Sequence, residues 1–123
     1  MPTTQSLDVS ETGIDDLGPL QALGATLTEL VFEACPYVED LGPLSGCGSL
    51  ARLNCSSCAD VADVSPLAAL HSSLTWLSLS GCERLMDIAP LSVLSSLTHI
   101  DISCCDGWVR HDGAVAATAK LLR

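Results

Sequence analysis

The stretch "SLTWLSLSGCERLMDIAPLSVLS", residues 73–95, decides the fold. Leucines stand at 74, 77, 79, 85, 91 and 94, a cysteine at 82, an aspartate at 87 and a proline at 90. Three related stretches surround it. "TLTELVFEACPYVEDLGPLSGCGS" and "SLARLNCSSCADVADVSPLAALHS" lie upstream, and "SLTHIDISCCDGW" lies downstream. The leading leucines are Leu27, Leu50, Leu74 and Leu97, spaced by 23, 24 and 23 residues. A fainter copy, "SLDVSETGIDDLGPLQALGA", precedes them. Self-similarity at such a period means stacked units, each too small to bury its own apolar face.

Within each copy the residue types follow a fixed order. A segment L-x-x-L-x-L comes first: Leu27/Leu30/Phe32, Leu50/Leu53/Cys55, Leu74/Leu77/Leu79 and Leu97/Ile100/Ile102. Alternation at its end predicts a strand with one buried face. Three residues later comes Cys35, Cys58, Cys82 or Cys105, and then Val38, Val61 or Leu85. Asp40, Asp63 or Asp87 follows, then Pro43-Leu44, Pro66-Leu67 or Pro90-Leu91. Each aspartate, with Asp16 in the first copy, is expected to accept backbone N–H bonds in the turn before the proline. Stacked carboxylates holding calcium are the alternative. Proline suits the first position of a short helix or 3₁₀ turn, where its missing N–H costs nothing. Ser65 is expected to cap one such turn.

This pattern resembles the leucine-rich repeat family, L-x-x-L-x-L-x-x-(Asn or Cys), over roughly residues 6–106. The "xDxxPLxxL" half is similar to the short internalin-like repeats, and "LSLSGCERL" is similar to the cysteine-containing subclass. Similar hybrids occur among protozoan leucine-rich repeat proteins. The resemblance implies an α/β solenoid with a parallel concave sheet and short helical or 3₁₀ turns on the convex side. It divides a single domain, 1–123, into repeats at about 6–26, 27–49, 50–73, 74–96 and 97–106, with a C-terminal cap at about 107–123. That cap would be a short helix in "DGAVAATAKLLR", with Trp108 over the last coil.

The seven cysteines are an odd number, and no secretion signal precedes them. A disulfide framework therefore reads poorly, and a cytoplasmic setting is expected. The repeat frame instead makes Cys35, Cys58, Cys82 and Cys105 a buried structural column facing the loop backbone of the next coil. Cys47 and Cys55 fall at core positions, and Cys104 falls with Ala34, Ser57 and Gly81 nearer the surface. The "CSSC" at 55–58 has metal-ligand spacing, but the frame places both cysteines without a metal. No metal or cofactor is expected.

Net charge is −10, and no Lys or Arg occurs before Arg52. Such a surface repels phosphate backbones and anionic membranes, and is compatible with a basic protein partner. No run of 18 apolar residues suggests a membrane span.

Strand alternation places Glu29, Val31, Glu33; Arg52, Asn54, Ser56; Trp76, Ser78, Ser80; and His99, Asp101, Ser103 on the outward sheet face. Strands about 4.8 Å apart put Glu29, Arg52, Trp76 and His99 in one row. An outward Trp beside an Arg has the composition of a binding hot spot. Glu29, Arg52, Asn54, Trp76, Ser78, His99 and Asp101 are therefore the candidate partner-binding residues; a solvated face with Trp76 covered by Arg52 is the competing reading. Ser78, Ser80, His99 and Asp101 share the face but lack a pocket and an oxyanion hole, so no catalytic residue is assigned.

The expected function is a non-enzymatic protein-binding module. A structural subunit or fragment of a larger assembly docked through its uncovered ends is the second reading, with a homodimer or larger complex through the N-terminal edge at Leu7 and Val9 as one form of it. A ubiquitin-ligase adaptor, implied by the cysteine-containing subclass, is a lesser third.

Overall fold

The structure, a computed structural model, describes residues 5–85 and 88–102. Within them lie five short strands: β1 (Gln5–Asp8), β2 (Leu27–Val31), β3 (Arg52–Asn54), β4 (Trp76–Ser78) and β5 (His99–Asp101). They form one parallel sheet in the order of the sequence. Each of the first four strands is followed by a turn and a short 3₁₀ helix: η1 (Gly18–Leu23), η2 (Gly42–Gly46), η3 (Ser65–Leu70) and η4 (Ala89–Val93). The chain thus advances one coil per repeat, and β1 to β4 each pair with their equivalent in the next coil.

The L-x-x-L-x-L positions become the core because alternation sends them inward. Leu30, Leu53 and Leu77 pair across the sheet and are fully buried, and Ile100 extends the row. Phe32, Cys55, Leu79 and Ile102 form the next buried row. The 3₁₀ helices add Leu20, Leu44, Leu67 and Leu91 from the opposite wall. One continuous apolar spine results, shared by all coils.

The short helices are 3₁₀ because a proline near the start meets a bond that closes in three residues. Leu20, Leu44, Leu67 and Leu91 donate to the carbonyls of Leu17, Leu41, Val64 and Ile88 at 2.9, 2.9, 3.0 and 2.9 Å. The aspartate ahead of each described turn does what the sequence suggested. Asp16, Asp40 and Asp63 Oδ1 accept the N–H of Gly18, Gly42 and Ser65 at 2.8, 2.8 and 2.9 Å. Ser65 does not supply the cap expected of it. It already belongs to η3, and its N–H is the group being capped, by Asp63. Asp87 lies outside the described residues.

The strand exits require a left-handed backbone. Glu11, Ala34, Ser57 and Gly81 recur one repeat apart with φ of 58, 55, 59 and 78°. Only the fourth copy uses glycine, although L-residues adopt this region at a cost.

The cysteine column is present, and its direction corrects the expectation. The thiols of Cys35, Cys58 and Cys82 donate to the carbonyls of Val9, Phe32 and Cys55 at 3.3, 3.0 and 3.2 Å. Each reaches the preceding coil, not the next. The side chain turns inward just past the strand end, where it meets a backbone carbonyl of the previous coil. Cys47 and Cys55 are buried core residues as read from the frame. Cys104, Cys105, Trp108 and the expected C-terminal helix lie outside the described residues.

Candidate functional site

The outward sheet face is built by the same register that builds the core. Glu29 pairs with Arg52, Arg52 with Trp76, and Trp76 with His99. Ser6 extends the row onto β1. The side chains along this row touch in sequence. Ser6 Oγ donates to Glu29 Oε1 at 2.8 Å, and Glu29 Oε2 lies 3.4 Å from Arg52 Nε. Arg52 Cζ sits 4.7 Å from the centre of the Trp76 ring. Trp76 and His99 stack with ring centres 5.0 Å apart and planes 9° apart.

Arg52 and His99 occupy the strands on either side of Trp76, so they take opposite faces of the indole. A guanidinium over an indole gains electrostatic attraction from the ring quadrupole. Trp76 is accordingly half-buried and offers a partner its edge rather than a free ring face. The covering by Arg52 weighed from the sequence is real, and His99 doubles it.

The second row runs Asp8, Val31, Asn54, Ser78 and Asp101. Asn54 anchors a polar network here. Its Nδ2 donates to Glu33 Oε2 at 3.1 Å, and its Oδ1 accepts from the Ser56 hydroxyl at 2.7 Å. Ser56 Oγ and Ser78 Oγ are also 2.7 Å apart. Ser78 lies on the outward row but is only 5% exposed. Its neighbours cover it, so it supports the face and presents almost no surface of its own. Ser10, in turn, holds the Asp8 carboxyl below the usual carboxylate range, through its hydroxyl and then its N–H.

The Ser/His/Asp chemistry that the composition made conceivable is not assembled around Ser78. Its hydroxyl is engaged with Ser56 while His99 stacks on Trp76. The recess lined by Glu29, Val31, Arg52, Asn54 and Trp76 has a volume of about 50 Å³. Small-molecule pockets run to about 300–1,000 Å³. Away from the sheet, Glu39, Asp60, Asp63 and Arg84 line an open depression of about 200 Å³, bridged by Arg84 Nη1 to Asp60 Oδ1 at 3.6 Å. Among the described residues no cluster of three or more His, Cys, Asp or Glu is arranged to hold a metal, and no helix is long and apolar enough to cross a membrane.

A second column went unread in the sequence. Thr28, Thr75 and Thr98 hydroxyls donate to the carbonyls of Gln5, Ala51 and Thr75 at 3.3, 3.1 and 3.1 Å. This column stands at the start of the strands, as the thiol column stands at their ends. The signal was a threonine after the leading leucine in three of the copies.

Solved structures with this architecture include two internalins of Listeria monocytogenes. Internalin C2 superposes with a TM-score of 0.60 at 24% identity, covering 79% of this chain and 50% of that one. The internalin inlF gives 0.58 at 24% identity, covering 75% of this chain and 32% of that one. The fold is a leucine-rich repeat. The chain spans about half and about a third of the lengths of these two structures. No protein-family model matches the sequence, and no curated protein does.

Proposed function

We propose that this leucine-rich repeat chain is a non-enzymatic protein-binding module that engages its partner on the outward sheet face. The observation that carries the reading is the unbroken row Ser6–Glu29–Arg52–Trp76–His99. A surface arginine, tryptophan and histidine held rigid by one another lose little side-chain entropy on docking. Arg and Trp are also the residues over-represented where binding energy concentrates. Asn54, Ser78 and Asp101 flank the row in the same register. The cytoplasmic setting belongs to the same reading, supported by the buried, reduced thiols of Cys35, Cys47, Cys58 and Cys82.

The test compares Trp76→Ala with Tyr37→Ala, a residue 62% exposed and off the sheet face. Both should keep the far-ultraviolet circular dichroism of the parent. Partners captured from a native extract should be lost with Trp76→Ala and kept with Tyr37→Ala. Equal capture by both variants contradicts the reading.

One observation favours a second reading, docking through the N-terminal edge into a homodimer or larger assembly. Leu7, Val9 and Ile14 are only partly buried, whereas their equivalents in the next coil, Leu30, Phe32 and Val38, are fully buried. Sedimentation at micromolar concentration separates the two, since a strict monomer counts against edge docking.

A further inference from the structure

The charge on the sheet face is unevenly spread. Among the described residues, four carboxylates, Asp8, Glu29, Glu33 and Asp101, stand on it against the one guanidinium of Arg52. Three of the four surround Val31. Asp8 is its partner on the neighbouring strand, Glu29 stands two residues before it on β2, and Glu33 stands two residues after it in the turn past the strand end. Arg52 offsets one of these charges by pairing with Glu29 and is otherwise held over the indole, so the group keeps a net negative charge. Glu33 receives the neutral amide of Asn54, which leaves its charge in place. The apolar floor of Val31 is half-exposed, and the shallow recess beside it is walled by Arg52 and Trp76.

We infer that the partner is a lysine- or arginine-rich extended segment, seated over Val31 with its cations against Asp8, Glu29 and Glu33 and its edge against Arg52 and Trp76. This rests on the sheet face being the binding surface, as proposed above. The chemistry follows from the layout. A long basic side chain lays its methylenes on an apolar patch while its charged head reaches the surrounding carboxylates. Carboxylates grouped on one side of a face also raise the encounter rate with a basic chain and reject an acidic one. The Arg52–Trp76–His99 stack then acts as a wall, stopping the segment from sliding across the sheet.

The test uses a fluorescent peptide of alternating arginine and serine, with a counterpart carrying glutamine for arginine, titrated by anisotropy at low and at physiological salt. The chain should bind the arginine peptide and not the glutamine one, and salt should weaken the binding. Asp8→Asn and Glu33→Gln remove charge while keeping the hydrogen-bond acceptor that each residue supplies. Each should weaken binding by about 2–5-fold. Asp15→Asn and Glu39→Gln remove the same charge away from the face and should leave the affinity unchanged.

Equal losses from both pairs of variants would reduce the binding to general acidity and overturn the inference. So would absence of binding at low salt. If Trp76→Ala abolishes capture of the native partner while the arginine peptide does not bind, the sheet-face reading survives and the basic partner falls. If the peptide binds as described but Trp76→Ala leaves native capture intact, the sheet-face reading fails and takes this inference with it.

Discussion

The indole of Trp76 lies flat on the imidazole of His99, with ring centres 5.0 Å apart and planes 9° from parallel. Stacked side chains one repeat apart can meet this way only if the repeats hold strict register. The relationship is therefore both a product of the solenoid and the centre of its candidate binding face.

A double-mutant cycle measures it directly. Trp76→Ala and His99→Ala, singly and together, should show a coupling of about 0.5–1.5 kcal/mol in urea denaturation. The corresponding cycle for Glu29 and Arg52 should give less, about 0–1 kcal/mol. These side chains are 38% and 52% exposed, and water screens the pair. A coupling indistinguishable from zero for Trp76 and His99 would mean that the row is not held together in solution.

Within the thiol column, Cys58 predicts an alkaline limit to stability. Burial pushes the Cys58 thiol up to about 12 from an ordinary 9.0, against the lowering effect of a backbone hydrogen bond. Folding thus prefers the neutral thiol. Its contribution is complete below the unfolded value near 9 and is lost progressively as pH rises from there towards 12. Denaturation midpoints should fall across that window, and Cys58→Ala should flatten the fall. At neutral pH the same substitution should cost about 1–2 kcal/mol, for the lost hydrogen bond and packing.

The strand-exit column predicts opposite outcomes for exchanging glycine and alanine. Gly81 has φ of 78°, and a Cβ there would lie 3.1 Å from Ser57 Oγ. Gly81→Ala should destabilise by about 1 kcal/mol or more. Ala34 already bears the strain at φ of 55°, so Ala34→Gly should stabilise by about 0.5–1 kcal/mol. Thermal melting of the two variants should shift in opposite directions.

Asp63 caps η3 by accepting the Ser65 N–H at 2.9 Å. Asp63→Ala should cost about 1 kcal/mol, as for other lost caps, and Asp63→Asn much less. The Ser65 hydroxyl, and then its N–H, hold the Asp63 carboxyl below its ordinary 3.8. Its contribution is therefore present above that value and lost as pH falls below it. Acid titration of the parent and of Asp63→Asn should diverge only in that range.

Most of the solenoid was legible because packing in a repeat protein is copied from coil to coil. Once Leu30, Leu53, Leu77 and Ile100 were aligned, their equivalence fixed both the buried row and the outward row of Glu29, Arg52, Trp76 and His99. What the sequence concealed were hydrogen-bond directions. Nothing in the spacing of Cys35, Cys58 and Cys82 says whether a thiol donates forwards or backwards. The threonine column was missed because a hydroxyl at a strand start reads as ordinary β-propensity. The near-complete burial of Ser78 was hidden too, since period-2 alternation gives the face of a residue but not the height of its neighbours.

The central claim is that binding is concentrated on the sheet face around Trp76. Its most direct measurement is the affinity of a co-purified native partner for the parent chain, Trp76→Ala and Tyr37→Ala. The account predicts at least a tenfold loss for Trp76→Ala, the scale of a buried aromatic anchor, and no change for Tyr37→Ala. Unchanged affinity for Trp76→Ala, in a chain that remains folded, would contradict it.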